Sequence, residues 1–353
     1  MKKKILISTG GSGGHVLPAI SLKEHLKDKF EVIISTDNRG LRFLNEEQNY
    51  ILINTPRLQK PYLLPINLIL IFILTIKSIL VIRQKKIDRI ISIGGYMSLP
   101  IWLAAKFLRK RIDLCEPNLV LGKANKFYLN YAKSILCYHN NIIKFPERFD
   151  YKKLIIKPLI RKKFYDANVL INKKYFEITI FGGSQGAAVF DKFINEGLLK
   201  VSQKTKIKVN HQTNQKNLQN LKNFYEKNNI ENEVFNYKPD FFNLIKNSDL
   251  CITRAGASAL AEIALLGIPF ITIPLKNSAD DHQKENAKYY EKLDCCWILN
   301  QEELNQNKIE ELCLMIIENK DEYNKKKNNL KKLNEQNSWK SLNNNLIQFF
   351  NDN

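Results

Sequence analysis

The sequence predicts an α/β protein of two similar domains, and three observations lead to that prediction. Residues 9–15 read T-G-G-S-G-G-H; they follow the apolar residues 5–7 and precede a helical segment from residue 17 to about 29. The same arrangement returns in the second half, where the strand predicted at 177–181 precedes G-G-S-Q-G-A at 182–187. Strands and helices alternate throughout, which is typical of a parallel sheet. We therefore expect two Rossmann-like domains that face each other across a cleft.

The glycine turns favour a ligand that carries phosphate. Glycine tolerates positive φ and lets another molecule approach the backbone, while the first N–H groups of the following helix attract an oxyanion. One turn alone is weak support, because any tight strand-to-helix turn needs glycine for steric reasons. The repetition of the turn makes the phosphate interpretation the stronger one.

Composition limits the class of protein. The 353 residues are 44% hydrophobic, which is ample for two folded domains. Met1 and three lysines lead at once into a strand, so the start has no secretory signal pattern and we expect a cytosolic protein. The net charge of +20 comes from scattered lysines. Since no nucleic-acid motif accompanies them, we expect no nucleic-acid partner, and an anionic membrane or substrate fits equally well.

Neither the cysteines nor the histidines form a ligand pattern. The six cysteines include no C-x-x-C pair and lie mostly in apolar segments, which is typical of reduced core thiols. The five histidines are dispersed along the chain. We therefore expect no metal site and no cofactor.

The second strand, predicted at 32–36, ends at Asp37, where a dinucleotide fold carries its ribose-binding carboxylate. A nicotinamide enzyme fits poorly, because the third glycine position of that motif falls on Val16. No Gly-Lys-Ser/Thr ending follows the first turn, which excludes a nucleoside triphosphate loop of that kind.

Residues 62–83 are the most apolar part of the chain. Pro65, Asn67 and Lys77 interrupt them, so the run falls short of the membrane-spanning pattern. Lys60 precedes the segment, and Lys85 and Lys86 follow it. The segment is either a helix that lies on an anionic membrane or a buried core helix, and different faces can do both.

The remaining elements repeat the same theme. In the first half, strands predicted at 89–93 and 112–115 lead into G-G-Y-M-S at 94–98 and C-E-P-N at 115–118; a further strand is predicted at 134–137, and 151–164 reads as a linker. In the second half, strands predicted at 207–210, 234–236, 250–253 and 270–273 end on polar residues, and a final amphipathic helix around Trp339 packs on either domain. The expected division is residues 1–158, 159–335 and a terminal helix at 336–353.

With these motifs assembled, the chain resembles the MurG family of glycosyltransferases nearly end to end. The resemblance rests on five motifs in order: 10–15, 94–98, 182–187, Arg254-Ala255-Gly256-Ala257 with Glu262, and Asp281-His282-Gln283 with Asn286. It implies a GT-B fold and inverting transfer of N-acetylglucosamine from UDP-N-acetylglucosamine to the muramoyl 4-hydroxyl of a lipid-linked muramoyl-pentapeptide, at the cytoplasmic face of the membrane.

The resemblance also implies roles for individual residues. Glu262 binds the ribose, Gln283 and Asn286 contact the sugar, and the backbone near Lys238 reads uracil. The implied contacts of the diphosphate are Ser184, its glycine turn and Arg161; Ala257 and Ser258 belong to the same donor site, and Ser12, Gly13, Gly14 and Asn118 line the opposite side.

His15 is the candidate general base, because histidine titrates near neutral pH and this one follows the first turn. The alternatives are that His15 caps the turn or binds an acceptor phosphate. Several positions depart from the family pattern: the usual His-Glu-Gln-Asn is Cys115-Glu116-Pro117-Asn118, Arg161 is displaced by one residue, and Asn214 stands where a glycine is common.

A second enzyme class shares this architecture. A UDP-N-acetylglucosamine 2-epimerase has the same nucleotide pocket and releases a free sugar, whereas the apolar segment 62–83 favours a lipid-linked acceptor. A basic nucleic-acid-binding protein is a remote third reading of the charge.

Overall fold

The computed structural model describes residues 2–44, 50–57, 60–167, 173–182, 188–236, 238 and 241–351. The chain divides into two compact units. The first unit is Met1–Lys162 with Trp339–Asn353, and the second unit is Lys163–Ser338.

The described part of the first unit contains a sheet of seven parallel strands in the order β3-β2-β1-β4-β5-β6-β7. The strands are β1 (Lys4–Ser8), β2 (Glu31–Thr36), β3 (Tyr50–Leu52), β4 (Arg89–Ser92), β5 (Arg111–Glu116), β6 (Ser134–Cys137) and β7 (Lys153–Ile155). The strand order reverses between β1 and β4, and in such sheets ligands bind at that point, beyond the carboxyl ends of the strands. The glycine turns at residues 9–15 and 94–98, which follow β1 and β4, therefore lie side by side.

The helices of this unit are α1 (Gly13–Leu26), α2 (Asn38–Leu41), α3 (Leu64–Gln84), α4 (Leu99–Phe107) and α5 (Lys123–Tyr128). One sequence expectation is wrong here. Helix α1 begins at Gly13 rather than at residue 17, because Gly13 and Gly14 form its first turn and Ser12 is the extended N-cap. The linker predicted at 151–164 begins with β7, whose three residues pair with β6, and the division between the two units, after Lys162, falls within the predicted segment.

The second unit repeats the architecture with six described parallel strands in the order β10-β9-β8-β11-β12-β13. They are β8 (Phe176–Phe181), β9 (Ile207–Gln212), β10 (Glu231–Phe235), β11 (Leu250–Thr253), β12 (Phe270–Thr272) and β13 (Cys296–Ile298). The helices are α6 (Lys162–Tyr165), α7 (Ala188–Ser202), α8 (Leu218–Lys227), α9 (Phe241–Lys246), α10 (Ala257–Leu265), α11 (His282–Lys292), α12 (Gln306–Glu318) and α13 (Lys320–Asn334). The predicted α/β class with parallel sheets is confirmed.

The last helix, α14 (Trp339–Asn351), belongs to the first unit. At its start, the Trp339 ring stacks on His25 of α1 with ring centres 3.6 Å apart, and Asn343 Oδ1 lies 3.1 Å from His25 Nδ1. At its end, Arg89 Nη1 donates to the carbonyl oxygens of Phe349 and Phe350 at 3.2 and 3.3 Å. A cation at a helix carboxyl terminus is favourable, because the free carbonyl groups there carry partial negative charge.

The cysteine side chains are all buried. Burial raises the pKa of the Cys313 thiol to about 12, and it raises the other five as well. Because the thiolate is the reactive form, these cysteines are inert core side chains.

Candidate functional site

The buried carboxylate of Asp37 holds the first glycine turn, at residues 9–15, in place. Gly11 has φ +79°, and a Cβ on it would lie 2.7 Å from Met97 Cε, so the position requires glycine. The Gly11 N–H donates to Asp37 Oδ1 at 2.8 Å, and Gly40 N–H donates to the same oxygen at 3.0 Å. Arg39 Nε donates to Asp37 Oδ2 at 2.9 Å. Asp37 therefore positions the turn and is not a ribose-binding carboxylate of the dinucleotide kind.

His15 lies half-buried in the first turns of α1. Its Nδ1 lies 3.0 Å from the carbonyl oxygen of Ile93, at the end of β4. A carbonyl oxygen only accepts, so Nδ1 carries the proton and Nε2 carries the lone pair in the neutral ring. The structure thus sets the tautomer that a general base needs. The neighbouring Ser12 and Gly14 are exposed and Gly13 is buried.

The glycine turn at residues 94–98 brings two arginines together. Gly95 has φ +84°, and Tyr96 follows it. The Tyr96 hydroxyl oxygen accepts from Arg39 Nη2 at 2.6 Å and from Arg57 Nε at 3.2 Å. Sequence reasoning missed both arginines; Arg39 follows β2 and Arg57 lies beyond β3, and the strand order alone brings them to this edge of the sheet.

Asn118 is oriented by Glu116, another residue to which sequence reasoning assigned no role. Glu116 is 2% exposed. Its Oε1 accepts from the Asn118 backbone at 3.2 Å and from Asn118 Nδ2 at 3.1 Å, while its Oε2 accepts from Gly122 N–H at 2.8 Å and Asn125 Nδ2 at 3.0 Å. The buried carboxylate fixes the loop after β5, and the half-buried Asn118 lies at the same edge of the sheet as His15.

In the second unit, hydrogen bonds from two side chains hold the turn between β11 and α10 in place. Arg254 Nη1 donates to the carbonyl oxygen of Ile273 at 3.0 Å, and Asn286 Nδ2 donates to that of Ala255 at 3.1 Å. Burial lowers the pKa of Arg254 to about 10, so it stays cationic at neutral pH. A Cβ on Gly256 would have no described atom within 4 Å. These two hydrogen bonds hold the turn in place, and no described atom fills the space beside Gly256, before the first turn of α10.

Two polar side chains of α10 lie on one face, four residues apart. Ser258 is 6% exposed, and its hydroxyl oxygen is buried without a hydrogen-bond partner among the described residues. Glu262 is 5% exposed. Gln283 lies beyond β12, where its Oε1 accepts from Leu275 N–H at 2.9 Å. The unit therefore brings together Ala257, Ser258, Glu262, Gln283 and Asn286 at the carboxyl edge of its sheet.

Three predicted donor-site residues stand apart from this group. Ser184 and the rest of its glycine turn lie outside the described residues. Lys238 forms an ion pair with Glu233 of β10. Arg161 belongs to the first unit, where the preceding carbonyl, of Ile160, accepts from Ser21 Oγ at 2.7 Å.

Helix α3 forms an apolar outer surface on the first unit. Its buried residues are Asn67, Ile71, Ser78 and Ile82, so two polar side chains face inward. Nine large apolar side chains of the helix are exposed: Leu64, Ile66, Leu68, Ile69, Leu70, Phe72, Ile73, Ile76 and Leu80. Lys77 is exposed among them, and Arg83 and Gln84 are exposed at the end of the helix. Among the described residues, α3 is the helix long and apolar enough to cross a membrane, and 22% of its most apolar stretch is buried. We call this the α3 surface.

The described residues contain no group of three His, Cys, Asp or Glu side chains placed to hold a metal ion.

Comparisons with known proteins match both units. The glycosyltransferase family 28 N-terminal domain matches residues 5–137, and the family 28 C-terminal domain matches residues 177–342. The chain is 44% identical, over 100% of both chains, to a UDP-N-acetylglucosamine–N-acetylmuramyl-(pentapeptide) pyrophosphoryl-undecaprenol N-acetylglucosamine transferase of Pelagibacter ubique. A protein of the same name from Rickettsia bellii is 34% identical, over 90% of this chain and 91% of that one.

Solved structures resemble the whole chain. Acinetobacter baumannii MurG superposes with a TM-score of 0.75 at 21% identity, over 100% of both chains. A UDP-GlcNAc 2-epimerase from Neisseria meningitidis has a TM-score of 0.67 at 12% identity, over 99% of this chain and 100% of that one. At these identities the likeness shows the fold, and the GT-B fold predicted from the sequence is confirmed.

Proposed function

The chain belongs to glycosyltransferase family 28, and we propose that it transfers N-acetylglucosamine from UDP-N-acetylglucosamine to a lipid-linked muramoyl-pentapeptide in peptidoglycan synthesis. The observation that carries this proposal is the full-length 44% identity to the Pelagibacter transferase. The acceptor atom is the 4-hydroxyl of the muramoyl sugar, and the lipid is undecaprenyl diphosphate.

The second unit holds the donor. Glu262 accepts hydrogen bonds from the ribose hydroxyls, and the open space before Gly256 leaves room for the nucleotide at the start of α10. The unpartnered Ser258 hydroxyl gains a partner when the donor binds. Gln283 contacts the sugar through its amide N–H groups, since its oxygen is engaged by Leu275. Asn286 acts by bracing Ala255, and Ala257 lies in the first turn of α10.

The diphosphate of the donor needs groups that stabilise negative charge as UDP departs. N–H groups of the glycine turn around Ser184 and the Arg161 guanidinium supply them, because donors aimed at a developing charge lower the barrier. The backbone near Lys238 reads uracil. No metal ion and no other cofactor takes part in this proposal.

The first unit supplies the acceptor site and the base. The Nε2 lone pair of His15 takes the proton of the acceptor hydroxyl as its oxygen bonds to the anomeric carbon and the bond to the UDP oxygen breaks. This direct displacement inverts the α-linked donor to a β-linked product. Ser12, Gly13, Gly14 and Asn118 line the site around His15, with Asn118 aimed by Glu116.

The α3 surface binds the cytoplasmic face of the membrane. Its exposed apolar side chains enter the boundary between headgroups and acyl chains, while Lys60, Lys85 and Lys86 at its ends meet anionic headgroups. The enzyme is thus peripheral, and it meets a lipid-linked acceptor where that acceptor lies. The positive charge serves this surface, and nucleic acid is not a partner.

The alternative function is that of a UDP-N-acetylglucosamine 2-epimerase, which the likeness of fold to the Neisseria enzyme keeps open. The α3 surface favours the transferase, because an epimerase acting on a soluble nucleotide sugar needs no apolar outer helix.

The test is transfer of labelled N-acetylglucosamine from UDP to a short-chain polyprenyl-diphosphoryl muramoyl-pentapeptide, with the product identified by mass. We expect a lipid-linked disaccharide. A free labelled sugar as the product would support the epimerase, and donor binding without either product would contradict the proposed acceptor.

A further inference from the structure

Two guanidinium groups meet on one phenol in the first unit. Arg39 Nη2 and Arg57 Nε both donate to the Tyr96 hydroxyl oxygen, at 2.6 and 3.2 Å. A phenol has two lone pairs and one proton. The two arginines use both lone pairs, so the Tyr96 O–H points its proton elsewhere as a donor.

The cluster has more positive than negative charge. Asp37 Oδ2 pairs with Arg39 at 2.8 Å, and Asp37 Oδ1 accepts from the N–H groups of Gly11 and Gly40. The ion pairs of the described residues give Arg57 no carboxylate partner, and its side chain is exposed. Two cations and one carboxylate, with an O–H donor between them, form a site for an anionic oxygen group.

The position of the cluster identifies the anion. On one side, a Cβ on Gly11 would lie 3.5 Å from Arg39 Nη2, so the cluster adjoins the first glycine turn. On the other side, Asn67 Nδ2 of α3 donates to the Arg57 carbonyl oxygen at 3.0 Å. Arg57 is therefore tied to the start of the α3 surface, at the level of the headgroups when that surface lies on a membrane. In a lipid-linked acceptor, the group between sugar and lipid is the diphosphate.

We propose that Arg57, together with Arg39 and the Tyr96 hydroxyl, binds the diphosphate of the lipid-linked acceptor. This inference rests on the proposed function for the identity of the acceptor. Arg57 and the Tyr96 O–H contact the phosphate oxygens directly, and Arg39, which Asp37 holds in place, adds charge beside them. The site selects acceptors with two phosphates over those with one.

The test is direct binding, without donor and without vesicles, of two fluorescent short-chain polyprenyl muramoyl-pentapeptides that carry a diphosphate or a single phosphate. We expect Arg57→Gln to weaken binding of the diphosphate probe by roughly tenfold or more, the loss typical of a charged hydrogen bond, and to leave affinity for UDP-N-acetylglucosamine unchanged. Arg57→Lys should fall between, and Tyr96→Phe should weaken the same probe. The matched control is Arg83→Gln, an exposed arginine at the other end of α3, which should stay within about twofold of the wild type.

The outcomes separate this inference from the proposed function. Wild-type protein that binds the diphosphate probe more tightly than the monophosphate probe, with Arg57→Gln abolishing the difference, supports the site whether or not transfer occurs. Equal binding of the diphosphate probe by wild type and Arg57→Gln overturns it. An equal loss towards both probes also overturns it, because a site for the diphosphate must lose more affinity towards the probe that carries two phosphates. Failure of the transfer assay with binding intact contradicts the proposed function alone.

Discussion

Helices α3 and α10 are both rich in apolar residues, and the two units use them in opposite ways. In the second unit, α10 buries Leu260, Ala261, Ile263 and Ala264 in the core. In the first unit, α3, which the structure describes over its full length, buries Asn67 and Ser78 and exposes nine large apolar side chains. An apolar helix is therefore not evidence of a core position. Both helices bury polar side chains, so what distinguishes them is that the large apolar side chains are buried in α10 and exposed in α3.

The glycine turns of the two units differ as well. In the first unit, the Met97 side chain packs against the turn after β1, and Asp37 accepts a hydrogen bond from it. In the second unit, the turn before α10 is braced by Arg254 and Asn286 and open at Gly256. Under the proposed function, the first unit meets a lipid and performs the proton transfer, and the second unit holds a nucleotide.

The largest effect that tests this division is that of His15→Ala. We expect turnover to fall roughly 100- to 10,000-fold, as when a general base is removed, with the dissociation constant for UDP-N-acetylglucosamine nearly unchanged. His15→Asn is the matched variant, since its amide keeps a donor for the Ile93 carbonyl and has no basic nitrogen. Near-normal turnover in His15→Asn would mean that His15 only holds the turn.

Glu262→Ala should act on the other unit and on the other substrate. We expect donor binding to weaken by about 1.5–3 kcal/mol, the range for hydrogen bonds to a charged group, measured by calorimetry with UDP. Glu291→Ala, an exposed glutamate of the same unit, is the control. An unchanged UDP dissociation constant in Glu262→Ala would remove this residue from the donor site.

Phe72→Ser tests the α3 surface. Phe72 is 65% exposed, so its replacement costs the fold little, whereas burial of a phenylalanine in the membrane boundary is worth about 1.5–3 kcal/mol. We expect flotation with anionic liposomes at low salt to fall roughly tenfold. Leu293→Ser removes an exposed leucine of the second unit and should float like the wild type. Absence of flotation in the wild type would contradict the membrane role itself.

The smallest expected effect is a loss of stability at acid pH. Burial lowers the pKa of His25 to about 4, against an unfolded value near 6.5. The unfolded chain therefore binds the proton first, so the free energy of unfolding falls as pH drops below about 6.5, by about 1 kcal/mol at pH 5.5. Burial also lowers the pKa of His211, to about 3, so the second unit contributes with the same sign.

Urea unfolding at pH 7.5 and 5.5 measures this effect, with His25→Phe as the matched variant. Phenylalanine retains an aromatic ring against Trp339 and does not titrate, so the fall between the two pH values should be smaller in the variant. An equal fall in both proteins would show that His25 does not report on the docking of α14.

The sequence predicted what depends on local pattern. Buried parallel strands such as β1 and β11 are short apolar runs, and the polar residues after them marked the ligand edge of each sheet. Strand β7 was missed because it has only three residues, two of which are exposed, and because it lies in the segment that was interpreted as a linker. The sequence could not predict which face of α3 is buried, because a helix that is apolar on most sides has no distinct hydrophobic face.

Contacts between side chains that are far apart in the sequence could not be predicted either. Arg39, Arg57 and Tyr96 come from three separate segments, and only the order β3-β2-β1-β4 brings them together. Glu116 lies inside a motif that the sequence singled out, yet its role in aiming Asn118 needed the geometry of the loop. The fold was thus largely readable from the sequence, whereas the positioning residues were not.

The most direct test of the division between the units is hydrogen–deuterium exchange with UDP-N-acetylglucosamine alone. We expect the strongest protection in peptides that contain residues 254–265 and 282–292, with the α3 surface unaffected. Protection confined to the first unit, with none in those two peptides, would contradict the assignment of the donor to the second unit.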